Sequence, residues 1–198
     1  MSDDHKIKMQ ETQRKMRLAQ KEKVHKRGVV IVVTGNGKGK STSGFGTVLR
    51  AMGHGFNVGV IQFIKGKWKT GESRFFAEYQ GDSVYYYAME TGFTWNTQDR
   101  EGDILHAEKT WEHAEKCLQD DRLKVVMIDE LTYMINYGYL DKNVIVSAIK
   151  ARPKDQTVII TGRDACETLK ELSDTFSEVM EVKHAYQEGI RAQKGVDF

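Results

Sequence analysis

The sequence predicts an α/β domain in which a mostly parallel sheet carries helices on both faces. Three observations lead there. Short, nearly continuous apolar runs alternate with helix-period segments. Four of those runs lack the polar alternation of a half-exposed strand, as strands buried on both faces do. One of them leads through a glycine-rich turn straight into a helix, at "VVIVVTGNGKGKST", residues 29–42.

The chain has 198 residues, enough for one well-buried domain and scarcely for two. Residues 28–198 are read as that domain and residues 1–27 as a basic N-terminal extension. The extension, "KIKMQETQRKMRLAQKEKVHKR", is made of helix formers, but Ile7, Met9, Met16, Leu18 and Val24 make no continuous stripe. It reads either as a solvated leader or as a mobile lid helix over a ligand. No aromatic residues interleave its charges to stack on bases.

From Gly28 the strand candidates are "GVVIVVTG", "NVGVIQFI", "SVYYYAM", "KVVMIDE", "TVIITGR" and "SEVMEVKH". Between them, "STSGFGTVLRAMGHG", "REGDILHAEKTWEHAEKCLQ" and "YLDKNVIVSAIKAR" read as helices. In the second, Ile104, Leu105, Ala107, Trp111, Ala114 and Leu118 recur at roughly helical spacing. Met89, Met127 and Met134 suit core filling.

Net charge is +2, so no overall field argues for nucleic acid or a membrane surface. The two cysteines, Cys117 and Cys166, form no CxxC pair and suit a reducing compartment. No apolar run reaches the roughly 18–20 residues that span a bilayer, and the start of the chain has no apolar signal core. A soluble cytoplasmic protein is expected. The six histidines, His184 among them, show no ligand spacing.

The chemistry concentrates in the turn after the first strand. Glycines 35, 37 and 39 permit backbone angles closed to other residues and leave room for an oxygen. The amides of Asn36 to Lys40 are positioned to form one concavity at the positive end of the following helix. Lys38 and Lys40 bring charge, Ser41 offers a hydroxyl to Mg2+, and Thr42 follows it. A plain strand-to-helix turn requires neither lysine nor the Ser-Thr pair. Phosphate loops of hydrolases place their two outer glycines five positions apart; here Gly35 and Gly39 are four apart, which contracts the nest.

Two further strand ends belong with it. "VVMIDE" delivers Asp129 and Glu130, and "TVIITGR" delivers Arg163, to the edge of a parallel sheet where ligands bind. The carboxylates suit a metal, directly or through water, although either one alone could cap the next helix. Arg163 suits polyphosphate charge or a surface ion pair.

The ordered series "TGNGKGKST", "FGTVLRAMGHG", "VGVIQFIKG", "ETGFTW", "DELTYM", "ARPKDQTVIITGR" and "AQKGVDF" closely resembles the ATP:corrinoid adenosyltransferases, specifically the cob(I)yrinic acid a,c-diamide type. The resemblance runs collinearly from about Gly28 to Phe198 and includes the short loop. It implies a RecA-like fold and a homodimer. It also implies transfer of 5′-deoxyadenosine from MgATP to the Co(I) centre of a corrinoid, with ATP lying reversed relative to hydrolases. Lys40 is then the catalytic charge on the departing triphosphate. Gly35 to Thr42 and Arg163 hold the nucleotide, and Ser41, Glu130 and Asp129 the metal. Phe93 and Trp95, which the residues alone suggest as core anchors, are placed by the resemblance beside the corrinoid. A reduced flavoprotein is the implied electron donor. The competing readings are a RecA-like ATPase coupling hydrolysis to a macromolecular partner, with Glu130 activating water, and a nucleotide-binding module without turnover.

Overall fold

The computed structural model describes residues 3–21, 26–64, 70–89 and 99–198. Its order is α1 (Asp3–Lys21), β1 (Val30–Thr34), α2 (Lys40–Gly53), β2 (Asn57–Gln62), α3 (Gly71–Glu78), β3 (Val84–Ala88), α4 (Arg100–Gln119), β4 (Leu123–Asp129), α5 (Leu131–Asn136), α6 (Lys142–Ala151), β5 (Thr157–Thr161), α7 (Glu167–Leu172) and β6 (Thr175–Glu178). Six strands pair in the order β3-β2-β4-β5-β1-β6. Every ladder between them is parallel. The expected α/β class therefore holds, and the described strands are wholly rather than mostly parallel.

Parallel strands need crossovers, and right-handed crossovers decide which face each helix takes. α2 and α3 lead the chain toward β3 and cover one face; α4 to α7 return it and cover the other. The two apolar clusters record this. Phe45, Val48 and Ala51 of α2 and Phe76 of α3 pack with Val58, Val60, Met127 and Ile159. Trp111 and Leu118 of α4, Met134 of α5, Ile145 and Ile149 of α6 and Leu169 of α7 pack with Val32, Ile61, Val126, Ile128 and Ile160. Alternate residues of β4 go to opposite faces, Val125 and Met127 to one, Val126 and Ile128 to the other. That is why its sequence shows no polar alternation. Within the α4 stripe Leu105 departs from the expected face, standing 65% exposed, and Ile104 is only half-buried.

α2 lies unusually close to the sheet. A Cβ on Gly44 would sit 2.6 Å from Met127 Cε and 3.4 Å from Thr161 Cγ2. A mid-helix glycine costs about 1 kcal/mol of propensity; here it lets the helix that starts at the glycine-rich loop rest directly on β4, which ends in Asp129, and on β5 beside it.

The last strand differs from expectation. "SEVMEVKH" suggested pairing from Ser177 to His184, but β6 ends at Glu178. There the Val179 amide donates to Thr34 O at 2.8 Å while Val179 O accepts from the Gly37 amide at 2.8 Å, so the chain turns into the loop. Met180 and Val182, whose apolar character suggested a strand, are 76% and 91% exposed.

β6 is tied to β1 at its start by Asp174. Its Oδ2 accepts from Arg27 Nη1 at 2.7 Å and from the Val30 amide at 2.9 Å, and Oδ1 pairs with Arg27 Nη2. These donors, the guanidinium first, lower the Asp174 pKa to about 2. A depressed folded-state pKa gives stability that is complete above the ordinary aspartate value of about 3.9 and disappears as pH falls toward the folded value. Asp174→Asn should lower the urea midpoint at pH 5 and flatten its pH dependence between about pH 4 and 2. Parallel curves for the two proteins would show that the pair contributes nothing.

Both cysteines are free. Among the described residues no helix is long and apolar enough to cross a membrane. α1 follows the helix-prone leader, and its residues 5–18 are exposed.

Candidate functional site

The C-terminal edge of a parallel sheet gathers what its strands end on. Here β1 ends in the loop 35–39, β4 in Asp129 and Glu130, β5 in Thr161 and Gly162, and β2 in Gln62. A cavity of about 570 Å3 opens above them, within the range that holds nucleotide-sized ligands. Lys38, Gly39, Lys40, Ser41, Thr42, Asp129 and Glu130 line it.

The loop is held open by left-handed glycines at its two ends, Gly35 at φ 97° and Gly39 at φ 115°. Gly37 is glycine for a different reason. A Cβ there would lie 2.6 Å from Met180 O, because the strand-exit segment presses against the loop. The Gly37 amide is spent on Val179 O, and Asn36 is exposed. The expected concavity of amides from Asn36 to Lys40 is thus interrupted at Gly37. Anion-binding capacity passes to the Gly39 end, where α2 begins without a side-chain cap.

Lys40, the first residue of α2, is 8% exposed, and its Nζ donates to Gly37 O at 2.9 Å. Burial lowers its pKa below the ordinary 10.5; Glu130 opposes this, and Arg163 adds to it. Lys38 instead reaches out of the loop to Asp197, Nζ to Oδ1 at 2.6 Å.

The carboxylates are not equivalent. Asp129, 4% exposed, accepts from Thr161 Oγ1 at 2.5 Å and from Gln62 Nε2 at 3.0 Å. Gln62 Oε1 in turn accepts from the Tyr86 hydroxyl at 2.8 Å. Glu130 adopts a left-handed backbone, φ 59°, with its amide on Thr161 Oγ1 at 3.1 Å. Its Oε2 is buried with no hydrogen-bond partner among the described residues. Burial first, then the neighbouring Asp129 charge, raise its pKa, while Lys40 and Arg163 pull it back. A buried carboxylate oxygen without a donor, beside a half-buried Ser41 lining the same cavity, is a donor set suited to a hard divalent cation.

Arg163 stands at the rim. Its side chain is exposed and absent from the described lining of the cavity, although its charge acts on Lys40 and Glu130. Phe93 and Trp95 lie outside the described residues. Sequence reasoning passed over Gln62, Phe45, Thr70 and Glu72, and the tail residues Ala192, Val196, Asp197 and Phe198, all of which line the cavity. Gln62 was within reach, since it ends β2 in register with Asp129. The tail was not, because nothing local marks a contact across the length of the chain.

The family model described as "ATP:corrinoid adenosyltransferase BtuR/CobO/CobP" matches residues 26–198. The chain belongs to this family. It is 50% identical over 172 residues to the corrinoid adenosyltransferase of Escherichia coli K12, covering 87% of this chain and 86% of that one. It is equally similar to "Corrinoid adenosyltransferase CobA" of Salmonella typhimurium LT2, with 50% identity over 87% of this chain and 86% of the other. The corrinoid adenosyltransferase of a Sinorhizobium species shares 42% identity over 89% of this chain and 83% of its own length. As a member of the family the protein is a transferase acting on ATP and a corrinoid.

Proposed function

We propose that the protein transfers the 5′-deoxyadenosyl group of MgATP to the Co(I) centre of a corrinoid and releases triphosphate. The corrinoid is cobyrinic acid a,c-diamide, cobinamide or cobalamin, and the setting is adenosylcobalamin biosynthesis or salvage in the cytoplasm. The observation that carries this reading is the convergence of Lys38, Lys40 and the uncapped start of α2 on one cavity that also receives Asp129 and Glu130.

In the reaction a cobalt electron pair forms the Co–C5′ bond, the C5′–O bond breaks, and its electrons leave with the triphosphate oxygen. No water has to be deprotonated, so no general base is required. The chain must align the reactants and stabilise the departing charge. Lys40, buried against the loop, supplies a fixed cation there. Gly35, Asn36, Gly37, Lys38, Gly39, Ser41 and Thr42 shape the phosphate site, and Arg163 adds charge from the rim. Ser41 and Glu130 are the residues that would hold Mg2+, with Asp129 acting through water because its oxygens already serve Thr161 and Gln62. The ion would supply further charge to the triphosphate.

Phe93 and Trp95 are assigned to the corrinoid. Residues 1–27 are assigned the role of a lid on the domain 28–198. The working unit is a homodimer, and a reduced flavoprotein supplies the electron that takes the corrinoid from Co(II) to Co(I). The test is product analysis with ATP and chemically reduced corrinoid. Tripolyphosphate and a cobalt–carbon product support transfer. ADP with phosphate would convert the protein into an ATPase, and no turnover would leave a binding module.

A further inference from the structure

Beside the carboxylate pair lies a buried hydroxyl to which the reaction above gives no role. Thr132, in the first turn of α5, is 1% exposed, and its Oγ1 is buried without a hydrogen-bond partner among the described residues. The Oε2 of Glu130, two residues earlier, is in the same condition. Buried polar atoms are nearly always paired, so two orphans side by side mark a site rather than an accident of packing.

Gly162 shows how close they are. A Cβ on this residue would lie 2.0 Å from Thr132 Oγ1 and 3.2 Å from Glu130 Oε2. Both oxygens therefore converge on one point above the Gly162 backbone, which keeps φ 138° and can be nothing but glycine. The left-handed turn at Glu130 aims its carboxylate into this space, and β5 supplies the third wall. Three independent features thus meet at one place: a strained non-glycine residue, an obligatory glycine and a buried hydroxyl. Backbone strain that the surroundings hold in place is characteristic of functional sites.

We propose that Thr132 is a positioning residue: its hydroxyl donates to Glu130 Oε2 through one water and so holds the carboxylate in its orientation toward the cavity. Asp129 is oriented by Thr161 and Gln62; Thr132 does the equivalent work for Glu130. Outer-shell partners of this kind change metal affinity by about 10–100-fold when removed. The inference rests on Glu130 being a metal-site residue, as proposed above.

The test uses the full-length protein and Mn2+ alone, followed by electron paramagnetic resonance, so that it does not depend on which reaction is catalysed. Thr132→Val keeps the shape and removes the donor; Thr132→Ser keeps the donor and removes a methyl group. Thr132→Val is expected to weaken Mn2+ binding at least about tenfold, Thr132→Ser to bind as the unmodified protein does, and Thr132→Val to add nothing in a Glu130→Gln background. Unchanged binding in Thr132→Val, equal losses in the Val and Ser variants, or full additivity with Glu130→Gln would each overturn the proposal. If Thr132→Val does not fold, Thr132→Ala against Thr132→Ser gives the same comparison. Product analysis of unmodified protein separately decides the transferase reading, so the two failures are distinguishable.

Discussion

Lys40→Ala should slow adenosyl transfer by about 10²–10³-fold, or about 3–4 kcal/mol, as loss of a preorganised charge-stabilising donor does. The expectation follows from where the ammonium sits. It is buried, fixed on Gly37 O at the start of α2 and lined up with the cavity, so it need not reorganise when charge appears on the leaving group. Lys38 is a poor substitute, since its ammonium is already paired with Asp197 at 2.6 Å. The measurement is single-turnover formation of adenosylated product at saturating ATP, with the unfolding midpoint as a control. Turnover near the unmodified rate would remove Lys40 from the leaving-group site.

Gly35→Ala should be the most damaging small change in the loop. The residue sits at φ 97°, and a Cβ would lie 2.4 Å from Val179 O and 2.9 Å from Val179 N. Those are backbone atoms of the segment that leaves β6, which cannot step aside as a flexible side chain could. Left-handed strain of about 1–3 kcal/mol adds to overpacking of about 1–3 kcal/mol. A combined loss of about 2–6 kcal/mol is a large share of a domain stability of about 5–15 kcal/mol. Gly39→Ala provides the contrast, because at φ 115° its Cβ would meet no atom within 4 Å. It should carry the strain without the collision, and urea unfolding of the pair separates the two contributions. Equal losses would mean that contact with Val179 is not what fixes Gly35.

The sheet was legible because buried parallel strands write themselves as unbroken apolar runs, and β1, β2, β4 and β5 do so. The long helices α2, α4 and α6 were legible from their period. α5 and α7 were not, since six residues give fewer than two turns over which a period could show. The site was half readable. Lys40, Ser41 and the carboxylates stand where strand ends and the loop motif put them. The spent amide of Gly37 and the ion pair of Lys38 depend on Val179 and Asp197, whose closeness only the finished fold creates. Gly162 was passed over in favour of the charged Arg163 beside it. It is glycine because Thr132 Oγ1 occupies the place a Cβ would take, which no local pattern encodes.

The position of β1 in the sheet also sets when the molecule can assemble. β1 pairs with β5 and β6, Ile31 opposite Ile159 and Thr175, and, among the described residues, with no strand from the first half of the chain. During synthesis β2, β3 and β4 can pair as they emerge, but β1 waits for nearly the whole chain. Closing so long a loop precedes any ladder bond that rewards it, which makes such pairing slow. Meanwhile the run Val29 to Val33, five β-branched residues without a charge, remains an unpaired strand of the kind that joins other chains. The glycine-rich loop is therefore set last, and the yield of folded protein should depend on how long the first strand stays single.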